Sequence, residues 1–184
     1  MGVQAHEVFL AADYIERELP KDVVASIIEK TAEMRRDLAG MTPGKRNGYH
    51  KACPLLRDGS CGIYPARPEV CRAHHGHSAS LCAQVASDTE RGSEAFILPL
   101  RLRMFSVMLA IDHSFVEAGY DGRAYDFHGA LHAALTDGDF CRMRWAAKKH
   151  AFPDDCREPI YSEGGEHGEV RPVRSLAMLQ GLGA

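Results

Sequence analysis

Apolar side chains recur at helical spacing over residues 1–40. In the first segment, between Ala5 and Leu19, they are Val8, Phe9, Ala12, Ile15 and Leu19. Steps of three or four residues place these side chains on one face of a helix. A second helix is predicted from Asp22 to about Ala39, where Gly40 is suited to end it. We therefore expect two N-terminal helices.

Further helical segments are predicted downstream and form a helical core at residues 96–150. The longest, Phe96 to Ala118, is expected to be a buried helix, because its charged residues exclude a membrane span. Two more are expected at 124–136 and 139–150, and residues 80–90 suit another helical piece. The glycine-containing stretch 157–184 is expected to be an irregular tail. With no strand pattern of any length, the prediction is a single, mainly α domain over residues 1–184.

The segment 53–82 has a different character. It contains four cysteines separated by seven, nine and ten residues, among many turn-forming residues. A segment this short and this interrupted cannot bury much apolar surface of its own, whereas four thiolates around one metal centre would hold it together. The candidate ligands are Cys53, Cys61, Cys71 and Cys82.

Composition fits this interpretation. The chain has 45% hydrophobic and 26% charged residues and a formal net charge of −3, which is typical of a globular protein and gives no support for nucleic-acid binding. The N-terminus lacks a secretory signal pattern, so we expect a cytoplasmic protein that does not enter a membrane. In a reducing compartment, clustered cysteines indicate a metal more than disulfides, although six cysteines would also suit three disulfides.

The spacing of the cysteines bears on the kind of metal. Zinc sites commonly use paired cysteines two to four residues apart, whereas here no two cysteines are closer than eight positions. A cluster can be held by four separate loops. The sequence therefore favours a [4Fe–4S] cluster, with Zn²⁺ as the alternative.

The residues of this segment also carry a resemblance. The order C-P-L-L, D-G, C-x-I-Y, R-P, C-R, which runs from Cys53 to Arg72, resembles the YkgJ family of cysteine-cluster proteins, described as zinc- or iron-chelating CxxCxxxCC domains. The resemblance implies metal binding by Cys53, Cys61 and Cys71. This chain lacks the earlier cysteine motif of that family, because no cysteine precedes Cys53, and Cys82 is the next candidate ligand along the chain.

Other side chains compete for the fourth ligand position. His74, His75 and His77 follow Cys71 closely, and His77 is the one best placed to replace Cys82 in a zinc site. The histidines at 128 and 132 share a helix face, and we expect them to be rim or hydrogen-bonded core residues. The cysteines at 141 and 156 are expected to be buried.

The motif residues have expected roles of their own. Asp58-Gly59 should form a tight turn that brings Cys53 and Cys61 together, and Gly62 should let a backbone amide approach a sulfur. Ile63 and Tyr64 should pack the segment onto the helices. Arg67 and Arg72 should either place positive charge near the thiolates or form surface ion pairs.

The resulting hypothesis is a metal-centre protein with an electron-transfer or redox-sensing role and an unidentified redox or protein partner. One alternative is a structural zinc protein that acts as a partner-binding module. Another is a metalloenzyme with an open metal position and three cysteine ligands. The sequence carries no fingerprint of a particular reaction.

Overall fold

The computed structural model describes residues 2–42, 45, 49, 51–78, 80 and 97–158, and this part of the chain is mainly helical, as predicted. Cys82, most of the helical piece expected at 80–90 and nearly all of the expected tail lie outside the described residues. The predictions for them are untested.

The two N-terminal helices have nearly the predicted bounds. Helix α1 spans Ala5–Glu18 and helix α2 spans Lys21–Leu38. Before α1, the short strand β1 covers Gly2–Val3. Gly40 follows α2 with a φ of 71°, a left-handed conformation that glycine adopts without strain.

The cysteine-rich segment contains only short elements. Strands β2 (Leu56–Arg57) and β3 (Ser60–Cys61) form an antiparallel hairpin, followed by a 3₁₀ turn at Tyr64–Ala66 and the one-turn helix α3 at Glu69–Arg72. The predicted Asp58-Gly59 turn closes the hairpin. Both of its residues have positive φ, 48° and 77°, as a tight two-residue hairpin turn requires.

Three longer helices complete the described chain. They are α4 (Leu98–Glu117), α5 (Phe127–Thr136) and α6 (Gly138–Ala146), with strand β4 (Tyr125–Asp126) before α5 and a 3₁₀ turn at Asp154–Cys156.

The predicted bounds of α5 and α6 were wrong by a few residues. Residues 125 and 126 pair with β1 instead of joining α5, and the Asp126 carboxylate accepts a hydrogen bond from the Gly129 N–H at 2.9 Å, which caps the helix. Helix α6 stops before His150 because Lys148 adopts a φ of 57°, which ends a helix.

The core is built where α5 packs against α1 and α2. Small side chains face each other there, including Ala12 on α1 and Ala130 on α5, so the helix backbones come close. Aromatic rings fill the space beside them: Phe9 lies 5.2 Å from Phe152, and Tyr125 meets Phe152 edge-on at 5.1 Å. Burial of such rings is the largest single source of apolar stabilisation in a small domain.

The prediction that α4 is a buried part of the core was wrong. None of its residues is buried, and Leu98, Leu102 and Val107 are more than half exposed. Its apolar residues surround the helix instead of forming one stripe, so no single face is suited to docking. Among the described residues, α4 packs chiefly on α3, and no helix there is long and apolar enough to cross a membrane.

Asp112 of α4 makes stability depend on pH. Partial burial of the Asp112 carboxyl group, together with the negative charges of Glu7 and Glu69, raises its pKa from 3.8 to about 7. The folded protein therefore retains a proton between about pH 4 and pH 7 that the unfolded chain releases, so this residue lowers stability as pH rises.

We expect Asp112→Asn to raise the thermal midpoint by a few degrees at pH 8 and to leave it nearly unchanged at pH 4.

Thermal unfolding followed by circular dichroism measures this difference. Glu29→Gln, which removes a carboxylate from an exposed position of α2, is the control, and it should change the thermal midpoint little at either pH. An equal effect of Asp112→Asn at both pH values would contradict the assignment.

Candidate metal centre

Two of the candidate ligands are held by the β2–β3 hairpin. The Leu55 N–H donates to the Cys53 thiol, and the Leu56 N–H donates to the Cys53 carbonyl at 3.0 Å. Cys61 lies opposite Leu56 in the hairpin register. The side chain of Leu55 is 2% exposed, so it fixes the base of the hairpin in the core. The turn thereby brings Cys61 back toward Cys53.

The third cysteine is positioned by a buried carboxylate. Cys71 lies on α3, whose first N–H, that of Glu69, donates to Glu7 Oε1 at 2.7 Å. The other oxygen of Glu7 accepts from the Gln4 N–H, also at 2.7 Å, at the start of α1. Only 6% of Glu7 is exposed, and its burial raises its pKa. One side chain therefore ties the start of α3 to the start of α1.

Cys53 and Cys61 lie close enough to Cys71 to affect the ionisation of its thiol. The pKa of Cys71 is raised to about 11, chiefly by burial and also by the charges of Cys53 and Cys61, while the positive charge of Arg67 opposes these effects. Burial also raises the pKa of Cys53, again with a contribution from Cys61. Cys53 is exposed as a residue, yet the protein atoms around its thiol displace water. In the absence of a cation, Cys53 and Cys71 are protonated at neutral pH, and metal binding would release those protons.

Helix α5 adds an imidazole to this group. His128 lies in the first turn of α5, and its Nε2 is 3.9 Å from the Sγ of Cys53. Burial lowers the pKa of His128, although Asp126 opposes that change, so the ring is neutral and can offer a lone pair at pH 7. Our expectation that His128 is simply a rim or core residue overlooked this contact. The i, i+4 histidine pair was the available sequence signal, but it did not identify a partner 75 residues away.

These donors suit a soft or borderline cation. Thiolate and imidazole are the usual ligands of zinc, and thiolates hold iron–sulfur clusters. Within the described part of the chain, however, no three ligand-type side chains are gathered tightly enough to hold an ion as they stand. Cys53 and His128 are in contact, while Cys61 and Cys71 interact with Cys53 through their charge. To complete a site, the thiols of Cys61 and Cys71 would have to move inward.

The other candidate ligands have different surroundings. His74, His75 and His77 are exposed beyond α3. His132 is a hydrogen-bonded core residue, as expected: its Nδ1 lies 3.2 Å from the Ile28 carbonyl oxygen.

The prediction that the last two cysteines are buried is confirmed. Cys141 is 2% exposed and Cys156 is 1% exposed. Burial raises the pKa of Cys156 to about 12, so its thiol stays protonated.

Several expected roles of motif residues need correction. The Gly62 N–H bonds to the Leu55 carbonyl at 2.8 Å instead of pointing to a sulfur, and a Cβ on Gly62 would come within 3.0 Å of that oxygen. Tyr64 is 61% exposed and does not pack onto the helices, because its ring is covered by the Arg67 guanidinium at 3.6 Å. Ile63 is fully buried, as predicted.

The two arginines also differ from each other. The Arg72 guanidinium donates hydrogen bonds to the carbonyl oxygens of Pro65 and Arg67 and so connects α3 to the turn that precedes it. Of the two arginines, Arg67 is the one whose charge lowers the pKa of Cys71.

Comparisons with family models, with curated proteins and with solved structures find no match to this chain. The resemblance to the YkgJ family therefore stays an expectation that rests on the motif alone.

The role of Glu7 can be tested by Glu7→Gln. A glutamine has one acceptor oxygen in place of two, so it leaves one of the two buried N–H groups without a partner. We expect a loss of about 1–3 kcal/mol in the free energy of unfolding, measured by urea denaturation. Trypsin should also cleave faster after Arg72, because α3 is released. Glu29→Gln, at an exposed position of α2, is the control. An unchanged midpoint for Glu7→Gln would contradict this role.

Proposed function

We propose that the protein binds one metal centre through the thiolates of Cys53, Cys61 and Cys71, and that this centre fastens the cysteine-rich segment to the helical core. The observation that supports the proposal is the proximity of three thiols from separate local structures: a loop, a hairpin strand and a one-turn helix. The remaining described cysteines, Cys141 and Cys156, are buried in the core.

The short elements of the cysteine-rich segment also favour such a centre, because they contribute little stability of their own. Its strands are two residues long and its helix is a single turn, lengths that are not stable in isolation. Over residues 51–78, few residues are buried among those that the structure describes, namely Pro54, Leu55, Ile63, Ala66, Pro68 and Ala73. Thiolate–metal bonds would supply the stability that this small apolar contribution does not, because the free energy of metal binding becomes free energy of folding.

The metal expected from the sequence is a [4Fe–4S] cluster with Cys82 as the fourth ligand, in a protein that transfers electrons or senses redox state. Iron together with acid-labile sulfide in anaerobically purified protein would support that form of the proposal. Zinc alone would support the structural form, in which function lies in a surface that contacts a partner protein.

Single substitutions test the ligand set. We expect Cys53→Ser, Cys61→Ser and Cys71→Ser each to reduce bound metal to less than about a tenth of the wild-type content after dialysis, because each removes a thiolate from the centre. Metal and sulfide analysis of protein purified under anaerobic conditions measures the content.

Cys141→Ser and Cys156→Ser are matched controls. As whole residues they are less exposed than the candidate ligands, so these substitutions also disturb packed regions. Retention of metal by both controls would show that its loss elsewhere is not general destabilisation. The proposal fails if the wild-type protein carries neither zinc nor iron and binds neither when metal is added.

A further inference from the structure

We infer that His128 is the fourth ligand of this centre, so that the site holds a single zinc-type ion between three cysteines and one histidine. The inference rests on the proposed function and specifies it, because it replaces the four-thiolate cluster by a mononuclear centre.

The distance between the two donor atoms supports one shared ion. With a metal–sulfur distance of about 2.3 Å and a metal–nitrogen distance of about 2.0–2.1 Å, two tetrahedral ligands lie roughly 3.5–3.6 Å apart. The Cys53 Sγ and His128 Nε2 atoms are 3.9 Å apart, so this pair needs to approach by only a few tenths of an ångström. The thiols of Cys61 and Cys71 would have to move inward to join it, because no three ligand-type side chains among the described residues are gathered tightly enough to hold an ion. In a four-iron cluster each protein ligand binds a different iron, which would hold these two atoms much farther apart.

His128 is held at this position by contacts on both sides of the start of α5. The Asp126 cap fixes the first turn of α5, and the β1–β4 pairing fixes the residues just before it. Beyond that turn, α5 is buried against α1 and α2. A ligand on such a helix is positioned more rigidly than one on a loop, which favours a defined metal geometry.

The alternative fourth ligands that the structure describes have other surroundings. The histidines after α3 are exposed. Cys82 lies outside the described residues, so substitution decides between it and His128. His132 is one turn from His128 on the same helix, but its ring contacts α2 at the Ile28 carbonyl and, at 3.4 Å, the Thr31 hydroxyl. His132 therefore provides a matched control of the same residue type on the same helix.

The chemical consequence is a closed site. Three thiolates and an imidazole complete the tetrahedron of a structural zinc ion and leave no open position for water or substrate. Such a centre would link residue 53 to residue 128 and attach the cysteine-rich segment to the most buried helix. Its role would be to hold the segment in place, without electron transfer.

Cobalt substitution tests the inference. Metal-free wild-type protein titrated with Co²⁺ should develop the intense visible bands of a tetrahedral site together with thiolate charge-transfer absorption, and Zn²⁺ should displace the cobalt. We expect His128→Ala to weaken Zn²⁺ binding by about a hundredfold or more in competition with a chelator. His128→Cys should restore tight binding with stronger charge-transfer absorption, since a fourth thiolate replaces the imidazole.

Controls separate this inference from the proposed function. His132→Asn and Cys82→Ser should bind Zn²⁺ and Co²⁺ as the wild type does. Wild-type binding by His128→Ala, or loss of binding in Cys82→Ser, would overturn the inference and leave the metal-binding proposal standing. Iron with acid-labile sulfide in the wild type would also overturn it. His128→Cys provides a second test in case His128→Ala does not fold. If folded His128→Cys binds no metal, the inference is overturned. Absence of any metal binding by the wild type would overturn the proposed function itself.

Discussion

The packing of α5 against α1 and α2 is the constraint on which the rest of the structure depends. Small side chains along this contact let the three helices come close, and the aromatic rings of Phe9, Tyr125 and Phe152 close its side. This packing sets where the first turn of α5 lies, and the Asp126 cap and the β1–β4 pair then fix that turn in detail. The position of His128 follows from these contacts.

The cysteine-rich segment is attached to this core from two directions. Glu7 receives the first N–H of α3 and so holds the end that carries Cys71, while Cys53 touches His128 at the other end. Both attachments are polar and join short, sparsely buried elements. A buried carboxylate is costly unless its oxygens have partners, and the two N–H groups supply those partners to Glu7.

Local chemistry made much of the fold predictable from the sequence. Helical spacing and the glycine at 40 indicated α1 and α2, and Asp58-Gly59 indicated the hairpin turn. The predicted burial of α4 was wrong, because it relied on the length and apolar content of the segment, and these do not determine which elements pack against it.

Contacts between residues far apart in the chain could not be predicted from the sequence in the same way. The motif selected Cys53, Cys61 and Cys71 as a group, but the contact between Cys53 and His128 joins residues 75 positions apart. Nothing in the sequence around His128 distinguishes it from His132, whose ring packs on α2. Only the packing of α5 shows which of the two faces the thiols. The link from Glu7 to α3 is likewise a tertiary contact, although Glu7 also serves as an ordinary helix-start residue.

X-ray absorption at the metal edge of anaerobically purified protein tests the account most directly, because it counts the ligands of the bound metal by element. The account predicts one zinc-type ion with three sulfur neighbours at about 2.3 Å and one nitrogen neighbour at about 2.0–2.1 Å. Replacement of His128 by cysteine should convert that nitrogen shell into a fourth sulfur. A spectrum with iron–iron scattering and sulfur neighbours alone would contradict the account.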